Sequence, residues 1–296
     1  MRKTRTGKRI ELTSRDIKIF QLLSRYRYLS STYIHAFVGG ASETRFKERL
    51  GDLFHEGYLD RPEQQWQFAN AIHRPAVYES GLGTARALLE SGIVVDDSRS
   101  FLSTMAHRQF LHSLMICEVL ASLDLGMRAD SRLRLIAWPE ILGRAPEATR
   151  SSQTPFRIPV PSGGYLVPDG LLGIEYAQGS AKAYRFFALE ADRGTMPVVR
   201  SNQNQTSFMG KVAAYREIIG WQVHKAHWGI PNLLMLTVTT SESRMREMIR
   251  CLGDQGRECA AFLFAAADDA ALKIPAPSLL VEPWARAELP PLRIDA

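Results

Sequence analysis

The chain has few cysteines, no cysteine pair spaced for zinc and no phosphate-binding glycine loop, and each absence removes a class of function. Cys117, Cys251 and Cys259 are the three cysteines among 296 residues. An odd number without CxxC spacing argues against a disulfide framework and a cysteine zinc site, so they are expected as core thiols. Gly163-Gly164 leads into no Lys-Ser or Lys-Thr, so no nucleoside triphosphate is implied. His107 and His112 stand five apart and share a helical face poorly. His224 and His227 stand three apart, but neither pair has a third ligand, and all four are expected as ordinary surface or core histidines. No apolar segment of the signal-peptide kind follows the basic N-terminus, and no run comes near the roughly 20 residues that cross a bilayer. The expectation is a cytoplasmic protein with no membrane partner.

The sequence is rich enough in apolar residues, 45% of the chain, for two ordinary domains with real cores. Its net charge of +6 is unevenly placed. Residues 1–61 hold thirteen Lys or Arg against seven Asp or Glu, which accounts for the whole excess. Arg2, Lys3, Arg5, Lys8 and Arg9 form a basic arm, suited to a polyanion or serving only as a solubilising tail.

After the arm the pattern predicts three short helices and a hairpin. Thr13 caps the first, with Asp16 three residues on as the other half of a capping box, and Ile17, Ile19, Phe20 and Leu23 as the buried stripe. Ser30 or Ser31 starts a second helix that ends at Gly39-Gly40. Ser42 caps a third, in which Phe46, Leu50, Leu53 and Phe54 recur on one side while Thr44, Arg45, Lys47, Glu48 and Arg49 lie elsewhere. Gly57 stops that helix. Tyr58–Pro62 and Pro75–Tyr78 read as antiparallel strands, and residues 83–89 as a closing helix. A polar connector over 92–102 separates residues 10–92 from a second domain over 103–268.

That second domain opens with a helix from Ser103 or Thr104 to near Leu125. A strand over 132–138 follows, and the Pro/Gly/Ser-rich stretch from Thr149 to Gly164 reads as a mobile loop. Next come two apolar strands that end in carboxylates. Val167-Pro168-Asp169-Gly170 precedes one turn of a hairpin, and alternation from Tyr184 puts Glu190 and Asp192 on one face of the returning strand. Asp169 falls beside them. The three acids are candidate ligands of a divalent cation, Mg²⁺ or Mn²⁺. Alternatively, Glu190 or Asp192 pairs with Arg185, Arg193 or Arg200 and braces the Gly194-Thr195 turn. A helix carrying Phe208, Val212, Tyr215 and Ile219, strands over 233–239 and 260–264 with the helix Ser241–Leu252 between them, and a proline-rich tail draped over a surface complete the order.

The first segment resembles winged helix-turn-helix DNA-binding domains. By that resemblance the third helix enters the major groove with Thr44, Arg45, Lys47 and Arg49, and Arg61 and Arg74 come from the wing. A winged helix used only for protein contact or dimerisation is the alternative. The second segment resembles the PD-(D/E)xK nuclease-like superfamily through Pro168-Asp169 and Glu190-Ala191-Asp192, in an α/β (α+β) fold. That family's pattern has a Lys where this chain has Asp192. Lys211, on the following helix, is the candidate to supply the cation, and Glu118 on the long helix is a further acid. Asp169, Glu190, Asp192 and Lys211 are therefore the candidate catalytic residues. Both segments together, with Leu189-Glu190-Ala191-Asp192-Arg193-Gly194-Thr195, resemble the replication-relaxation family of bacterial plasmid and mobile-element proteins. The resemblance implies double-stranded DNA as partner, a role in replication, mobilisation or their control, possible relaxosome or replication-protein contacts, and a possible homodimer. It leaves open whether the nuclease-like domain is degenerate or a metal-dependent DNA endonuclease.

Overall fold

The computed structural model describes residues 7, 10–40, 42–67, 73–93, 110–179, 181–199, 207–254, 260–267 and 278–296. They divide into two compact units, the first ending at Ala121 and the second beginning at Ser122.

The first unit is a winged helix. Its elements in chain order are α1 (Ser14–Tyr26), β1 (Leu29–Ser30), α2 (Ser31–Val38), α3 (Glu43–His55), β2 (Leu59–Asp60), β3 (Val77–Ser80) and α4 (Leu82–Glu90). The Thr13 hydroxyl accepts from the Asp16 N–H, and the Asp16 carboxylate accepts from the Thr13 N–H at 2.7 Å, so the capping box forms as the sequence predicts. Ile19, Phe20 and Leu23 of α1, Tyr33 and Ile34 of α2, and Phe46, Leu50 and Leu53 of α3 meet in the core. Each such side chain contributes about 1.5–3 kcal/mol by leaving water.

β3 lies between β1 and β2, antiparallel to both. β1 leaves no mark in the sequence, because two residues carry no periodicity. Ser30 does begin α2, but its hydroxyl meets Thr32 rather than a backbone N–H. Gly81, between β3 and α4, sits so close to the Gly57 carbonyl that a Cβ there would lie 2.5 Å from its oxygen. A turn of this tightness demands glycine.

The long helix α5 (Phe110–Ala129) is where structure and expectation part. Its expected first turns fall outside the described residues. Its first half belongs to the first unit: Phe110 packs edge-on against Tyr28 with ring centres 5.3 Å apart, and Met115, Ile116, Cys117 and Val119 are buried. The division at 103 drawn from the polar connector therefore differs from the compact one, which falls inside the helix. By length and composition α5 is also apolar enough to cross a bilayer, contrary to the reading from uninterrupted runs. Its interspersed Glu118, Asp124 and Arg128 hide a high mean hydropathy, and two-thirds of the helix is buried in the protein, as a core helix is.

In the second unit β4 (Leu133–Ala137) is followed by α6 (Trp138–Gly143), α7 (Glu147–Arg150) and a small ladder of β5 (Ile158–Pro159) with β6 (Tyr165–Leu166). Then come β7 (Gly170–Gln178), β8 (Ala181–Asp192), α8 (Phe208–Gly220), α9 (Val223–Trp228), β9 (Leu234–Thr239), α10 (Glu242–Gly253), β10 (Phe262–Ala266) and α11 (Ser278–Val281). The sheet order is β10-β9-β8-β7-β4; β4, β7 and β8 pair antiparallel, and β8, β9 and β10 pair parallel. This is the nuclease-like α/β layout. β8 is central, and its residues from Phe186 to Ala191 are buried on both faces, which is why they read as an unbroken apolar run up to Glu190. Gly173 of β7 leaves room for the Phe186 ring directly across the ladder.

The expected mobile loop is tied down. Phe156 is buried against Trp138, and the Pro155 carbonyl accepts from the Trp228 indole at 3.1 Å. The tail is likewise more than a drape. Leu280, Trp284, Ala287 and Ile294 are buried, Ala285 bridges to Phe264 of β10, and the Tyr176 hydroxyl donates to the Ile294 carbonyl.

Candidate functional site

Asp169, Glu190 and Asp192 all come to the end of the β7–β8 hairpin, as the alternation predicts, but each arrives with partners of its own. Asp169 is fully buried. Its N–H donates to the Leu189 carbonyl, and its Oδ2 accepts from the Ala191 N–H at 3.0 Å, so it extends the hairpin ladder by one rung.

Glu190 is 3% exposed. Lys211 donates to its Oε2, and the Tyr215 hydroxyl donates to its Oε1 at 2.6 Å. Both donors come from α8, whose first turn is fixed by Ser207 accepting from the Gly210 N–H. They are four residues apart and so share a helical face. Burial, the Glu190 charge and the hydrogen bond to it together push the Tyr215 phenol well above its ordinary value, so it stays a donor.

Asp192 is paired with Arg244, whose Nε donates to Oδ2 at 3.0 Å, and Oδ2 also accepts from the Gly194 N–H and the Thr239 hydroxyl. Thr239 is its register neighbour on β9. Arg244 donates in addition to the Met196 carbonyl, holding down the stretch after Gly194. Burial lowers the Arg244 guanidinium, but the Asp192 carboxylate outweighs it and the net direction is upward.

Lys211 and the bracing of the Gly194 turn are legible in the sequence. Tyr215 reads there only as a core residue, and nothing points to Arg244. The i, i+4 relation to Lys211 is a signal for the first. Arg244 becomes visible only once β9 is known to run parallel beside β8. Of the arginines expected to pair, Arg185 donates to the Ala296 carbonyl instead, and Arg200 lies outside the described residues. Glu118 belongs to the first unit's part of α5.

A hard divalent cation is held by several oxygen ligands, carboxylates among them, and a cation paired to those oxygens competes with it. Here an ammonium and a guanidinium oppose two of the three carboxylates. Among the described residues no group of three or more His, Cys, Asp and Glu side chains is disposed to hold a metal ion. The expectation of Mg²⁺ or Mn²⁺ held by Asp169, Glu190 and Asp192 does not fit this donor set. The reason is the pair of cations that α8 and α10 bring in.

On α3 the four candidate residues separate into two kinds. Thr44, Arg45 and Lys47 are exposed, and Lys47 meets Glu43 at 2.7 Å with both side chains more than half exposed. Arg49 instead turns inward. Its Nε and one terminal nitrogen engage the two Asp16 oxygens at 3.1 and 2.6 Å, and the latter nitrogen also donates to the Glu11 carbonyl. Burial pushes the Asp16 carboxyl up, but the Arg49 and Thr13 hydrogen bonds outweigh it and leave it below its ordinary value. Arg61 is also turned inward. It stacks between the Phe54 and Tyr78 rings at 4.6 and 4.9 Å and donates to the Tyr78 hydroxyl. Arg74 is half-buried. The wing tip and the basic arm, Gly7 apart, lie outside the described residues.

The remaining candidates are structural. His227 is bonded to the Pro155 carbonyl and His224 faces the Ile218 carbonyl; burial lowers the pKa of both. Burial pushes the Cys117 thiol up to about 12, that of an inert core residue; Cys251 is a half-exposed free thiol, and Cys259 and His107 lie outside the described residues.

A family model described as replication-relaxation matches residues 20–234, a span that takes in α3, the wing, the acidic site and α8. No curated protein and no solved structure matches the chain.

Proposed function

Because the chain belongs to the replication-relaxation family, whose name carries a DNA-related role in replication or mobilisation, we propose that it binds double-stranded DNA of a plasmid or other mobile element through α3 and the wing. The observation that carries this reading is the exposed Thr44, Arg45 and Lys47 face of a helix whose opposite side, Phe46, Leu50 and Leu53, is locked in the core. Arg45 and Thr44 sit in the first turns, where such helices meet base edges, and Lys47 is placed for phosphate. Arg49 and Arg61 orient α3 and the wing from inside rather than touch DNA. The nuclease-like unit acts in this reading as a non-cleaving module, supporting contacts with a second copy or with replication or relaxosome proteins at the same DNA.

The test is binding of fluorescent duplex fragments to the full chain at two salt concentrations. Affinity should fall steeply with salt, and Lys47→Ala should reduce the slope of log K against log[salt] by about 0.9. Arg45→Ala should instead cost about 1–3 kcal/mol on a preferred sequence and little on others. No affinity at low salt, or affinity indifferent to salt, refutes the reading. The rival, a metal-dependent endonuclease, draws on Asp169, Glu190 and Lys211 standing together. Nicking of supercoiled plasmid with Mn²⁺ that vanishes in Asp169→Ala would establish it.

A further inference from the structure

We propose that Lys211 is a built-in replacement for a divalent cation: its ammonium is the permanent counter-charge of Glu190, and this engagement is what keeps metal out of the acidic site. Four observations carry it. The Lys211 ammonium donates directly to Glu190 Oε2, and the pair is largely buried, Lys211 at 18% and Glu190 at 4% side-chain exposure. The other oxygen of the same carboxylate is closed by the buried Tyr215 hydroxyl, one helical turn from Lys211. Asp192 has its own guanidinium in Arg244, so it does not compete with Glu190 for the Lys211 ammonium. Finally, three carboxylates already face two cations, and a dication added to them would turn a mildly negative cluster positive.

A buried carboxylate needs a partner, and one that already has one gives up hydration-equivalent contacts to change it. An ammonium tethered through α8 is present at high effective concentration, so a free dication has to displace it rather than fill an open position. The proposal concerns the second unit alone, and a failure of DNA binding leaves it standing.

The test is thermal melting and Mn²⁺ titration of the full chain. For the native protein, millimolar Mn²⁺ should leave the melting temperature unmoved, and calorimetry should show no stoichiometric binding. In Lys211→Met the buried Glu190 loses its cation, so melting in chelator should fall. Mn²⁺ should restore it, with an affinity at least about tenfold above the native protein's. The double variant Glu190→Gln with Lys211→Met removes both charges, and should melt near the native temperature and ignore Mn²⁺. Native protein that binds Mn²⁺ stoichiometrically, with the binding lost in Glu190→Gln, overturns the proposal. A Lys211→Met protein that Mn²⁺ leaves unchanged overturns it as well. Should Lys211→Met fail to fold, the native titration and the double variant decide the matter.

Discussion

In the winged-helix unit the polar side of α3 stands in water, with Arg45 exposed and Lys47 leaning on an equally exposed Glu43; at the end of β8, by contrast, Glu190 is buried, Asp192 keeps only 11% side-chain exposure, and each is held by a cation from a following helix. The same residue types therefore do different work in the two places. An exposed charge with a loose partner is available to an outside polyanion and adds little to stability. A buried charge with a fixed partner is unavailable, and its removal strands the partner in a place that water does not reach. Arg49 is the bridge between the two cases: it lies on α3, the helix proposed to meet DNA, yet its guanidinium is committed to the buried Asp16.

Three substitutions sharpen that contrast, in falling order of effect. Arg244→Ala leaves the largely covered Asp192 without its cation and frees the Met196 carbonyl, so it should cost the second unit about 3 kcal/mol in chemical denaturation. Stability changed by less than about 1 kcal/mol would show that Asp192 reaches water and that the two regions are alike after all. Arg49→Ala should cost the first unit about 2–3 kcal/mol, because the Asp16 it abandons keeps its capping role but loses a two-pronged partner. It should also change the acid limb. With Arg49 in place the folded-state Asp16 sits below its ordinary value of 3.8, so its contribution is complete above that pH and is lost as pH falls through the lower folded value. The variant should show less of this acid-linked loss when melting is followed from pH 6 downward. Smallest is Lys47→Ala, expected to alter melting by less than about 0.5 kcal/mol while weakening DNA binding, since its pair with Glu43 is solvated on both sides.

Local patterns were readable from the sequence, and pairings across space were not. The capping box of Thr13 and Asp16 lies within four residues, and the stripe of Phe46, Leu50 and Leu53 within eight, so spacing alone predicts them. Alternation likewise puts Glu190 and Asp192 on one face of β8. But periodicity names a face, not a partner. Arg49 meets Asp16 across 33 positions, and Arg244 meets Asp192 across 52; both contacts depend on how elements stack. Arg49 and Arg61 look like surface cations because nothing in their own neighbourhood reveals an inward partner. The sharing of α5 is hidden for a similar reason. Tyr28 and Phe110 meet only after the chain has passed through a polar connector that reads as a boundary.

Asp16 has one more consequence. The same carboxylate closes the start of α1 and pins Arg49, so a single group fixes both where one helix begins and how its neighbour is rotated about its own axis. Arg45 lies four residues, about 6 Å along the axis, before Arg49 on that neighbour. The anchor therefore acts as a short lever: a few degrees of slack at Asp16 would swing the tip of Arg45, at the end of a long side chain, by more than the tolerance of a base-edge hydrogen bond. Aim, rather than attraction, is what this buried acid contributes to the proposed DNA-binding surface.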